Sequence, residues 1–148
     1  MRNHRASRAW LLAWACALPL AAHAADKVEH FAFEDVLKEG AGQLDGSVKF
    51  YLAGQATPKV LEKKGEFVSN KKSNGFAKAA DPTCRRAALS ALLSLQERAH
   101  QVGANAVVNI VSYYKKVDVA SPTEYECHVG ALMSGVAFKG TMAKVAAR

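Results

Sequence analysis

The sequence is short of tryptophan, cysteine and long apolar runs, and each shortage excludes something. Both tryptophans, Trp10 and Trp14, fall within the first 24 residues, so no tryptophan remains to anchor an interface once that stretch is set aside. The longest apolar run, Ala9 to Leu18, has ten residues, about half of what a helix needs to cross a bilayer. Three cysteines leave no zinc-finger ligand set. The phosphate-binding motifs are missing too. Gly135-Val136-Ala137-Phe138-Lys139-Gly140-Thr141 has a phosphate-loop glycine spacing, but Thr141 stands where the lysine belongs. In Gly40-Ala41-Gly42 the third glycine of a dinucleotide fingerprint is replaced by Asp45.

What is present fits one globular domain. The chain has 148 residues, 50% hydrophobic and 22% charged, enough for a core but not for a two-domain enzyme with a cleft between domains. Arg2, Arg5 and Arg8 precede the apolar run, and Ala22-His23-Ala24 places small residues at the minus three and minus one positions. This is the pattern of a secretory signal peptide, residues 1–24, cleaved after Ala24 to leave a periplasmic chain starting at Ala25. Cys16 leaves with it, and Ala13-Trp14-Ala15 before Cys16 is not a lipid-attachment site. Export removes three arginines and no acid, lowering the net charge from +7 to +4.

Along the mature chain, 25–148, Glu34 to Lys38 forms a short helix that Gly40 and Gly42 end, and Val48, Phe50 and Leu52 alternate as a half-buried strand. Residues 59–74, rich in lysine, read as one strand broken near Gly65 or as two short ones, at an edge of the sheet. Asp81 serves as N-cap and Pro82 as first residue of the main helix, which runs to Val102 before a left-handed Gly103. Cys84, Ala88, Ala91, Leu92, Leu95, Ala99 and Val102 share its apolar face. Asn105 to Tyr114 is a central strand, with Ala106, Val108, Ile110 and Ser112 on one face and Val107, Asn109, Val111 and Tyr113 on the other. Asp118 to Thr123 is a turn, Tyr125 to about Phe138 a final strand, and the remaining tail is loosely held. The expected fold is α+β: one main amphipathic helix on a small, mostly antiparallel sheet with a βαββ core.

Cys84 and Cys127 are even in number and lie in a compartment where disulfides persist. The helix rises about 28 Å from Cys84 to Gly103, and the returning strand regains that height near Tyr113. A hairpin centred between residues 119 and 120 then sets Ser112 opposite Cys127. Both cysteines lie on apolar faces at one end of the sandwich, which predicts a bridge; two buried free thiols are the alternative.

The histidines add little chemistry. Cys127 and His128 are adjacent but point to opposite faces of a strand, so they are poorly placed to hold one metal ion, and His30 and His100 read as boundary or surface residues. No catalytic serine, histidine and acid share a local arrangement, and no cofactor is implied. Residues 59–78 carry six lysines against two acids. This basic patch, with Lys59, Lys63, Lys64, Lys71 and Lys72, suits anionic lipid head groups or an acidic envelope protein, and nucleic acid is not expected outside the cytoplasm. Asn70, Lys72 and Asn74 fall on one face of an extended segment and are its polar readers. A solvated edge strand is the bland explanation of the same composition.

The Ala-rich helix, the strand Gly103-Ala104-Asn105-Ala106-Val107-Val108 and the late Val129-Gly130-Ala131 resemble the YbjQ-type small domains over residues 82–138, and also the RcsF-type envelope-stress signalling domain. Segments 44–55, 69–74 and 103–116 are similar to small exported bacterial proteins often labelled excinuclease ATPase subunits. An export signal and the missing phosphate-loop lysine are incompatible with that label's chemistry. The chain is read as a non-catalytic periplasmic binding or envelope-interaction module; Gly130, Gly135 and Gly140 permit the close backbone approach that homo-oligomerisation along the last strand would use, or else mark a bulge. The rival reading is a metal-binding or thiol-redox protein using Cys84 and Cys127.

Overall fold

The computed structural model describes residues 26–147; the signal-peptide expectation therefore lies outside the described residues. Its elements are β1 (Lys27–Ala32), α1 (Phe33–Glu39), β2 (Lys49–Leu52), β3 (Val60–Asn74), α2 (Ala80–Val102), β4 (Ala106–Ser112), a 3-10 turn (Tyr114–Lys116), β5 (Glu124–Val129) and β6 (Met133–Val145). The class is mixed, with two helices and a curled, mostly antiparallel sheet.

Helix α2 buries the expected stripe from Cys84 through Ala88, Ala91, Leu92 and Leu95 to Ala99, with Ala87 added to it and Val102 at the end only half-buried. Its many alanines let it lie close to the sheet, where it meets Phe50, Val107, Val136, Phe138 and Met142 in one core cluster. Gly103 ends the helix in the left-handed region (φ 69°), and the following N–H of Ala104 returns to the Ala99 carbonyl at 2.8 Å. The start differs from the expected cap. The helix opens at Ala80 behind an uncapped Ala79, and Asp81 sits inside the first turn, paired with Arg85 at 2.9 Å. A carboxylate there complements the helix dipole without bonding the terminal N–H groups.

Strand β6 organises the sheet. β3 pairs along its length from Met133 to Val145, while the opposite edge is shared: β5 takes Ser134 and Gly135, and β4 takes Phe138 to Ala143. β1 pairs β5, and β2 pairs β4 in parallel. The expected final strand is thus two strands joined by a turn, in which the Gly130 N–H reaches the Met133 carbonyl at 2.9 Å. The loosely held tail is likewise corrected. Residues after Phe138 form the second half of β6, with Met142, Ala143 and Val145 buried.

Two more corrections have local causes. Asn109 adopts φ 53° at a bulge in β4, a conformation asparagine tolerates better than most residues. The extra residue switches faces, so Val107 and Ile110 both join the helix-side core while Ala106 and Val108 pack on the other face with Ala143 and Val145. The β4–β5 hairpin is replaced by an early reversal, with Lys115 and Lys116 both left-handed and Ser112 bridging Val119. β4 and β5 both run antiparallel to β6 and hence parallel to each other. Ser112 fills the fork between them, its Oγ accepting the Glu126 N–H at 2.9 Å.

Candidate functional site

Cys84 on α2 and Cys127 on β5 form a disulfide with a Cα–Cα distance of 5.8 Å. Both are fully buried, beside the edge-to-face pairs Phe33–Phe138 and Tyr125–Phe138. The two cysteines do lie at one end of the sandwich, although the fork at Ser112, not a hairpin, brings the strands level.

That end carries two loops. Asn74 closes β3, and its Oδ1 accepts the Phe76 N–H at 3.0 Å; the Gly75 N–H bonds the Leu132 carbonyl at 2.9 Å, and the Lys78 N–H bonds Gly75 at 3.1 Å. The β3–α2 loop is therefore fastened to the β5–β6 turn. Together they hold three large apolar side chains in water: Phe76 is 65% exposed, Leu132 63% and Met133 43%.

Behind this tip lies a cleft of about 320 Å³, lined by Asp26, Lys72, Tyr114, His128, Leu132 and Met133. The Tyr114 ring stacks on His128 with centroids 3.6 Å apart, and its hydroxyl donates to Asp26 Oδ2 at 3.0 Å. Gly135 lies beneath the ring, where a Cβ would be in ordinary contact with it at 3.4 Å. Burial, reinforced by Asp26, pushes the Tyr114 hydroxyl above the ordinary phenol range. Burial also pulls His128 below the usual imidazole value, against the raising influence of Glu126. His128 Nε2 makes no hydrogen bond among the described residues; Glu126 is 3.7 Å away and lies 3.5 Å from His30 on its other oxygen.

The basic patch is divided. β3 is an edge strand, as its composition indicates, but it bulges between Lys63 and Glu66, so the lysines do not share one face. Lys59 and Lys63 are exposed near its start, and Lys64 is tied to Glu62 at 3.0 Å. Lys71 and Lys72 stand roughly 26 Å further along, on opposite faces of the strand. Asn70, Lys72 and Asn74 do fall on one face, with Asn74 already engaged by the Phe76 turn. Sequence reasoning missed Asp26, Phe76, Tyr114, Leu132 and Met133. Gly130-Ala131 was the available sign of a turn exposing Leu132.

Cys127 and His128 point to opposite faces, the first into the core and the second into the cleft. Among the described residues, no group of three His, Cys, Asp or Glu is placed to hold a metal. His100 meets Ser47 Oγ at 2.8 Å and Asp45 at 3.4 Å, both through Nε2. A hydrolytic triad needs the acid on the other ring nitrogen, so this trio is a surface network. Hydrogen bonds from Ser47 hold the Asp45 carboxyl below its ordinary value. The glycines of β6 are used within the chain. A Cβ on Gly140 would come within 2.6 Å of Val107, and one on Gly130 within 3.0 Å of Asp26, at the turn before β6. Among the described residues no helix is long and apolar enough to cross a membrane.

The fold is a disulfide-bridged mixture of two helices and a mostly antiparallel sheet, with apolar side chains exposed at one tip. No protein-family model matches the chain, and no curated protein matches it.

Proposed function

We propose that the chain is a non-catalytic, exported binding module of the bacterial envelope, of the YbjQ/RcsF type, whose recognition end is the tip formed by the β3–α2 loop and the β5–β6 turn. The observation that carries this reading is the exposure of Phe76, Leu132 and Met133 on hydrogen-bonded loops. Apolar side chains held together in water by a rigid scaffold mark an interaction surface. The secretory pattern of residues 1–24 supports the periplasmic address. At His100 the same Nε2 meets both Ser47 and Asp45, so this trio lacks the acid on the other ring nitrogen that a hydrolytic relay uses. In this reading Cys84 and Cys127 are a staple: with both sulfurs buried, an attacking thiolate or a metal has no direct access.

Site-specific photocrosslinking in cells exporting the full chain tests it. Benzoylphenylalanine at position 76 or 132 should give adducts with protein or lipid, and the same group at Glu97, exposed near the other end of α2, should not. Equal yields at all three positions, or none at 76 and 132, would refute the reading.

A further inference from the structure

We infer that the tip docks on the surface of an anionic lipid bilayer, with Phe76, Leu132 and Met133 entering the acyl boundary and Lys71, Lys72 and Lys78 meeting the lipid phosphates. This rests on the binding-module reading and names its partner.

Charge decides between a bilayer and a protein. Lys72 is two places from Asn74, which pairs with Met133 in the sheet, and lines the same cleft as Leu132 and Met133. Lys71 stands on the other side of the strand, and Lys78 closes the Phe76 loop. All three are exposed, and none forms an ion pair among the described residues. Of the acids at this end, Asp81 shares Arg85 with Glu39, and Asp26 keeps its negative charge while accepting the Tyr114 hydroxyl, so with the three lysines these groups sum to a positive excess. The tip therefore presents apolar side chains ringed by unpaired ammonium groups. Protein interfaces are depleted in lysine, favour arginine, tyrosine and tryptophan at their centres, and need a larger area than three side chains supply. A bilayer with anionic head groups asks for this combination: a few apolar groups at the acyl boundary, with flexible cations level with the phosphates. The fastening of the loops also means that little order is lost on docking, since the Phe76 turn is formed before contact.

Co-sedimentation of the mature chain with vesicles of phosphatidylglycerol and phosphatidylcholine, against vesicles of phosphatidylcholine alone, tests this. The protein should sediment with the anionic vesicles and not with the neutral ones. Each of Lys71→Ala, Lys72→Ala and Lys78→Ala should weaken partitioning about fivefold, and Phe76→Ser or Leu132→Ser about tenfold or more. These positions are exposed, so thermal unfolding should match the parent and certify the fold. Lys59→Ala, at the far end of β3, should change partitioning less than twofold. Absence of binding to anionic vesicles, equal binding to neutral ones, or unchanged binding by the Phe76 and Leu132 variants would each overturn the inference. If vesicles fail while photocrosslinking at position 76 captures a protein, the bilayer is wrong and the binding module stands. If both fail, both readings fall.

Discussion

Replacing the bridge by Cys84→Ala/Cys127→Ala should cost this domain a large part of its stability, and the size follows from the fold. The disulfide closes a loop of 43 residues, which on the chain-entropy model removes about 4 kcal/mol of unfolded-state freedom at 25 °C. A domain of this size loses about 3 to 4 °C in Tm per kcal/mol, so the shift should be about 15 °C. Alanine is the cleaner replacement, because a serine hydroxyl in the apolar cluster around Tyr125 and Phe138 would add a desolvation cost of its own. Either single variant breaks the bridge. The second substitution should therefore add only the cost of one truncated buried side chain, and the two single variants should sum to much more than the double. Urea unfolding of the parent, both singles and the double, each checked for free thiols, measures all of this. A loss under about 1 kcal/mol in the double variant, or simple additivity of the singles, would refute the reasoning that the bridge acts by closing the loop.

Two further outcomes follow from the same structure. Gly140→Ala sets a methyl group 2.6 Å from Val107 Cγ1 and 3.1 Å from Ile110 Cγ1, and overpacking of that kind should lower stability by about 1 to 3 kcal/mol in denaturant titration. A change below a few tenths would mean that β4 yields freely at its bulge. His128 binds its proton less readily when folded, because burial penalises the imidazolium. The unfolded chain then holds more protons, so this contribution is fully present above the unfolded value near 6.5 and is lost as the pH falls through and below it. His128→Asn should flatten the stability profile between pH 7.5 and 5, and an unchanged slope would remove His128 as its source.

How much was legible in the sequence depends on whether neighbours along the chain or across it decide the structure. Helix α2 was readable because its stripe and its terminal glycine are local signals, and the edge position of β3 showed in its lysines. The cysteine pairing emerged from parity, compartment and approximate levels, which survive an error in the connection between β4 and β5. The strand faces of β4 did not, because one asparagine in a positive-φ bulge inverts everything after it and alternating residues on both sides conceal the switch. The split between β5 and β6 was also concealed. Tyr125 to Phe138 keeps nearly continuous apolar alternation across Gly130, so the turn that exposes Leu132 reads as strand interior. The tip itself depends on cross-chain hydrogen bonds, from Gly75 to Leu132, that no local pattern encodes.

The staple and the tip are parts of one construction. Cys84 lies in the opening turns of α2, five residues beyond the end of the Phe76 loop at Ala79, and Cys127 lies two residues before β5 gives way to the turn carrying Leu132. The Thr83 hydroxyl, next to Cys84, bonds Ser134 Oγ at 2.8 Å in the buried layer beneath the tip. The bridge therefore joins the stems of the two loops, and the Thr83–Ser134 contact and the Gly75–Leu132 bond repeat that connection nearer the surface. A covalent tie at this position constrains the end whose apolar groups are least able to stabilise themselves, because Phe76 and Leu132 contribute little burial to the fold. Stability supplied from below permits exposure above: the core beneath Tyr125 and Phe138, together with the bridge, can hold Phe76, Leu132 and Met133 in water without relying on their burial.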